Sequence, residues 1–90
     1  MPLIRKETVK NDGNVYEYML YLNESERFSS FRLPLYSIEI KLTLSDGTVS
    51  NYMSEDLFSD FNEAVNFYER LIKNLATPMN LPYVIADSLS

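Results

Sequence analysis

Cysteine and histidine are both missing from this 90-residue sequence. Without cysteine there can be no disulfides, thiolate nucleophiles, iron–sulfur clusters or Cys-type zinc sites, so a core has to hold without covalent staples. Without histidine the commonest metal ligand is gone, and with it the side chain that titrates near neutral pH. Glycine is reduced to Gly13 and Gly47, both in turn-like settings, so there is no glycine-rich loop to cradle a phosphate. No apolar run approaches the roughly 18 residues of a membrane span. The opening Met1-Pro2-Leu3-Ile4-Arg5-Lys6 lacks the apolar stretch of a secretory signal. A reduced, cytoplasmic setting is the expectation.

What is present is ordinary globular material: 46% hydrophobic and 23% charged residues, with five Phe and seven Tyr. This is enough for one core, and the length matches a single domain over residues 1–90. The net charge of −5 lies wholly in one half. Residues 1–41 carry six basic and six acidic side chains, whereas residues 42–90 set Arg70 and Lys73 against seven acids. Counterion release on nucleic acid needs a basic stripe, and none is there, so direct nucleic-acid binding is not expected.

The hydrophobic pattern predicts four strands and then helix. Leu3 to Lys10 and Val15 to Leu22 flank Asn11-Asp12-Gly13-Asn14, a hairpin signal because both central positions need φ > 0. Asn23 to Pro34 reads as a polar connection around Phe28 and Phe31, long enough to be a candidate for mobility or function. In Tyr36, Ile38, Ile40, Leu42 and Leu44 the period is two, the mark of a strand with one buried and one wet face. Ser45-Asp46-Gly47 turns the chain into Thr48 to Met53, and Ser54-Glu55-Asp56 reads as a further short loop.

From Asp60 the period changes. Phe61, Ala64, Val65, Tyr68, Leu71, Ile72 and Leu75 form one helical stripe. Asp60 with Glu63 makes an acidic capping box, with Ser59 as the alternative cap. Pro78 stops the helix, and a shorter one is expected from about Leu81. The predicted fold is α+β: a four-stranded antiparallel meander (β-β-β-β-α) with one amphipathic helix packed on one sheet face and a short C-terminal helix.

Catalysis finds little to stand on. A nucleophile would have to be Ser, Thr or Lys without imidazole, and no nucleophile elbow or SxxK motif is present. The acidic edge Glu55, Asp56, Asp60 and Glu63 lies beside a helix N-terminus, where acids offset the helix dipole, and capping is preferred over catalysis there. EF-hand spacing is absent around Asp46, Glu55, Asp56 and Asp60, so no metal, cofactor or catalytic residue is assigned.

Partner binding has positive support. If Tyr16, Tyr18, Leu20 and Leu22 face the helix, then Val15, Met19 and Tyr21 project from the other sheet face beside Glu17. These four form a candidate partner interface, and an edge strand offers a second route by strand addition. The bland alternative is that the N-terminal segment or the 23–34 loop folds over them. The expectation is a non-enzymatic interaction module that self-associates through a sheet face or edge. The alternative is a small acidic regulator or inhibitor that sets the Glu55–Glu69 edge against a basic protein surface.

Tyr36-Ser37-Ile38-Glu39-Ile40, the Ser59-Asp60 helix entry, and Asn74-Leu75-Ala76-Thr77-Pro78 followed by Leu81, Val84, Ile85 and Asp87 resemble a group of short clostridial-type Firmicutes proteins of unknown function. Members of that group show a Tyr-Gly-Ile strand, an amphipathic helix, a Thr-Pro and a Val-Val/Ile-x-Asp ending. The resemblance covers roughly residues 15–89, with Ser37 where Gly is usual and Ala86 where an acid often sits. It implies a bacterial cytoplasmic origin, and no activity or site residue.

Overall fold

In the computed structural model of this chain, Asp12 and Gly13 take φ of 52° and 79°. Asn11 faces Asn14 across them, the two-residue type I′ turn whose twist suits a hairpin. The structure describes the backbone of residues 2–28 and 31–89 and the side chains of residues 2–23 and 34–88. The strands are β1 (Leu3–Asn11), β2 (Asn14–Phe28), β3 (Phe31–Thr43) and β4 (Val49–Phe58); the helices are α1 (Phe61–Lys73) and α2 (Leu81–Leu89). The sheet is antiparallel throughout, in the order β1-β2-β3-β4, so the α+β meander expected from the sequence is the fold.

The second turn is built differently. Leu44 N–H donates to the Thr48 carbonyl at 2.8 Å, and Gly47 N–H donates to the Leu44 carbonyl at 2.9 Å, with Gly47 at φ 91°. This is a three-residue loop closed by a left-handed residue. The Asp46 carboxylate accepts from Thr48 N–H at 2.9 Å, and that bond holds its carboxyl below the usual range. Ser45 N–H donates to Asn14 Oδ1 at 3.0 Å, which ties both turns together at one end of the sheet.

Three expectations are corrected. Most of the expected connection over residues 23–34 is strand: β2 continues to Phe28 and β3 begins at Phe31, with Glu24 opposite Pro34 and Ser25 opposite Leu33. Main-chain pairing propagates along a hairpin without an apolar period, so the polar stretch hid it. Ser29 and Ser30, and the side chains of residues 24–33, lie outside the described residues. The expected loop at Ser54-Glu55-Asp56 is an irregularity inside β4, where the register jumps between Tyr36↔Phe58 and Ile38↔Ser54. Asp56 takes φ 53° there, and its N–H donates to the buried Ser37 hydroxyl at 3.0 Å. Finally, α1 ends at Lys73. Leu75, expected in the helical stripe, lies beyond the end at φ 52°. Ala76 N–H bonds the Leu71 carbonyl and Leu75 N–H the Ile72 carbonyl, a Schellman ending with Leu where Gly is usual. Leu75 still packs against the core from there.

The core lies between the sheet and α1. Tyr16, Tyr18 and Leu20 of β2 and Tyr36, Ile38 and Ile40 of β3 meet Ala64, Phe67, Tyr68 and Leu71 of α1. Phe67, which the stripe did not include, is buried because Phe58 packs on it at 5.3 Å and it shares a cleft with Val84 of α2. Phe61 is half exposed, edge-on to Tyr36 at 5.8 Å.

Asp60, in extended conformation, caps α1 by accepting from Glu63 N–H at 2.9 Å. Replacing it with Ala should lower stability by about 1 kcal/mol, and Asp60→Asn should recover most of this. Urea unfolding checks both; no loss in Asp60→Ala would mean that the cap contributes nothing. Thr77 and Asn80 bond each other's N–H reciprocally, at 3.3 and 2.8 Å, a capping arrangement with Pro78 in the first helical position of the turn that enters α2.

Candidate functional site

Alternation along β2 puts Val15, Glu17, Met19 and Tyr21 on the sheet face away from the helices, as the sequence predicts. Their cross-strand partners there are Lys10, Thr8, Lys6 and Leu3 of β1 and Thr43, Lys41, Glu39 and Ser37 of β3. The face is a set of polar rungs set among apolar side chains. Lys6 Nζ lies 3.2 Å from Glu17 Oε1 and Lys41 Nζ lies 3.9 Å from Glu17 Oε2. Tyr21 O–H donates to Glu39 Oε1 at 2.9 Å, and Asn51 Nδ2 donates to Glu39 Oε2 at 3.0 Å. Burial and then the Glu39 carboxylate push the Tyr21 phenol up to about 12. Met19 sits between these rungs and is only 9% exposed, so it offers little surface of its own. Asn23 Nδ2 lies 3.5 Å from Asp56 Oδ1, linking the bulge of β4 to β2.

Turn geometry decides which main-chain groups each edge strand turns outward. Asn11 and Asn14 flank a two-residue turn, so they form a hydrogen-bonded pair, and the pairing alternates from there. The main chain of Val9, Glu7 and Arg5 therefore points to β2, and that of Lys10, Thr8 and Lys6 points away. On the other edge Leu44 pairs with Thr48 by a main-chain bond. Ser50, Tyr52 and Ser54 consequently bond toward β3, while Val49, Asn51 and Met53 turn their main chain outward. Sequence reasoning did not single out these three. Their alternation with Ser50 and Tyr52 was visible, but the outward phase depends on the turn register.

The acidic edge is divided among jobs. Asp60 caps α1, Asp56 sits in the bulge, and Glu55 and Glu63 are exposed. No group of three or more acidic side chains placed to hold a metal ion occurs among the described residues. The cleft between α1 and α2, lined by Phe67, Arg70, Leu71, Asn74, Ala76 and Val84, encloses about 50 Å³, well below the roughly 300 Å³ of the smallest usual ligand pockets. Among the described residues no helix is long and apolar enough to cross a membrane.

The sequence model of a family of unknown function, DUF6514, matches residues 1–90. No curated protein and no solved structure matches the chain.

Proposed function

The chain belongs to this family of unknown function over its whole length, and on that footing we propose that it is a non-enzymatic protein-interaction module that self-associates through its sheet. The observation that carries the proposal is the one-sided roof. The buried cluster joins α1 to the Tyr16, Tyr18, Ile38 and Ile40 side of the sheet, whereas Val15, Glu17, Met19 and Tyr21 and both sheet edges lie outside it. The non-enzymatic part is supported by the work its carboxylates already do. Asp46 holds a turn, Asp60 a cap, and Glu17 and Glu39 the rungs of the outer face. A bacterial, cytoplasmic setting goes with the proposal, in keeping with a cysteine-free chain.

The acidic-regulator reading has less support, since Asp56 and Asp60 are engaged in local structure. Salt separates the two. Copies carrying −5 each repel, so self-association strengthens as salt screens them, whereas docking on a basic partner weakens. Sedimentation equilibrium should show the weight-average mass rising from monomer toward dimer with concentration, more so in high salt. A monomer at every concentration and salt level sinks the proposal.

A further inference from the structure

We infer that the contact between copies is the outer edge of β4, joined antiparallel to the same edge of a second copy about a two-fold axis at Asn51. The inference rests on the self-association proposed above and names its surface. The two edges of the sheet differ. On β1, the residues whose main chain turns outward are Lys6, Thr8 and Lys10, and lysines on an edge are a standard guard against strand addition, strengthened here by a register break between Leu3 and Arg5. Two β1 edges brought together would also set like charges side by side. On β4 the outward row is Val49, Asn51 and Met53, with neither charge nor proline, and Val49 is 53% exposed. The break in this strand comes only beyond Ser54.

The row is complementary to itself. With Asn51 opposite Asn51 of the second copy, Val49 faces Met53 and Met53 faces Val49. Apolar side chains then meet apolar ones, and amide meets amide, on the face that also carries Tyr21 and Met19. All three positions turn the same groups outward, so the junction forms about six main-chain hydrogen bonds, two per facing pair. The contact uses the same patch on both copies and closes at two. A β4-to-β1 contact would instead propagate.

Sedimentation equilibrium on Asn51→Pro, Asn51→Ala and Thr8→Pro tests this, with circular dichroism as the check of fold. Asn51→Pro deletes an N–H that β3 does not use, and its dissociation constant should rise at least about tenfold. Asn51→Ala keeps the outward N–H and loses the bond to Glu39 and the amide contact at the axis, so it should dimerise more tightly than Asn51→Pro; Thr8→Pro, on the other edge, should dimerise as wild type does. Because the chain has no cysteine, Asn51→Cys gives a second reading that needs no proline. Facing Cα atoms about 5.5 Å apart lie within disulfide reach, so mild oxidation should yield a covalent dimer, and Thr8→Cys should not. A wild-type-like dimer in Asn51→Pro, or no cross-link in Asn51→Cys, overturns the edge assignment. If Tyr21→Glu alone abolishes the dimer, the contact is the sheet face, and self-association stands while this inference falls. A wild type that stays monomeric removes both.

Discussion

Ile40→Ala should destabilise the protein by about 2–5 kcal/mol, the largest effect expected of any single change considered. Ile40 is fully buried, faces Tyr18 on β2 and Tyr52 on β4, and lies at the centre of the cluster that α1 covers. Removing its outer carbons loses their burial and leaves a cavity between sheet and helix that a laddered strand cannot close. A chain this short has a total stability toward the low end of about 5–15 kcal/mol, so the variant should keep no more than about 3 kcal/mol and unfold at a far lower urea midpoint. Its neighbour on the opposite face is the control. Lys41 is exposed and only 3.9 Å from Glu17, so Lys41→Ala should change stability by under about 1 kcal/mol. Urea unfolding of the pair reads the alternation directly. Similar losses at both positions would mean that the buried face is misassigned.

The second large effect is alkaline. The Tyr68 O–H donates to the Tyr18 carbonyl at 2.8 Å and the Tyr18 O–H donates to the Ala76 carbonyl at 2.9 Å, joining strand, helix and the segment after the helix in one chain of bonds. Both rings are fully buried, and burial pushes both phenols up to about 12. In the unfolded chain they ionise near pH 10. The folded state therefore holds these protons more tightly than the unfolded one. Stability is whole below about pH 10 and drains away as the pH climbs toward 12. Denaturant midpoints measured across this window should fall steeply, and the fall should be shallower in the double variant Tyr18→Phe, Tyr68→Phe. At neutral pH Tyr18→Phe should cost about 1–3 kcal/mol, because it removes a donor from the buried Ala76 carbonyl. Tyr68→Phe should cost less, since the Tyr18 carbonyl also faces the β1 ladder. A pH profile unchanged by both substitutions would show that these phenols do not set the alkaline limit.

Where the pattern in the chain was local, it was legible. Asp12-Gly13 announced its turn because few residue pairs tolerate two positive φ values. Tyr36 to Leu44 announced a strand by its period of two, and Phe61 to Ile72 announced a helix by the change of period. The long hairpin was not legible, because pairing through Glu24, Ser25, Leu33 and Pro34 is a main-chain matter that side-chain polarity does not report. Nor was the left-handed ending at Leu75, since a leucine there gives no sign of a conformation usually left to glycine. Of the candidate interface, Val15, Glu17, Met19 and Tyr21 were placed on the correct face by alternation alone. Their surroundings were not foreseen, because Lys6, Lys41 and Glu39 come from strands whose register is set by the turns.

Composition and periodicity, then, determined the class of the molecule: a cysteine-free sheet with one apolar side and a helix to cover it, since burying that side is the main favourable term open to so short a chain. Tertiary structure alone decided which atoms of the edges face outward. A three-residue loop at Ser45-Asp46-Gly47 puts Val49, Asn51 and Met53 in the outward phase, and a shift of one residue would have turned those groups inward and moved their side chains to the opposite face.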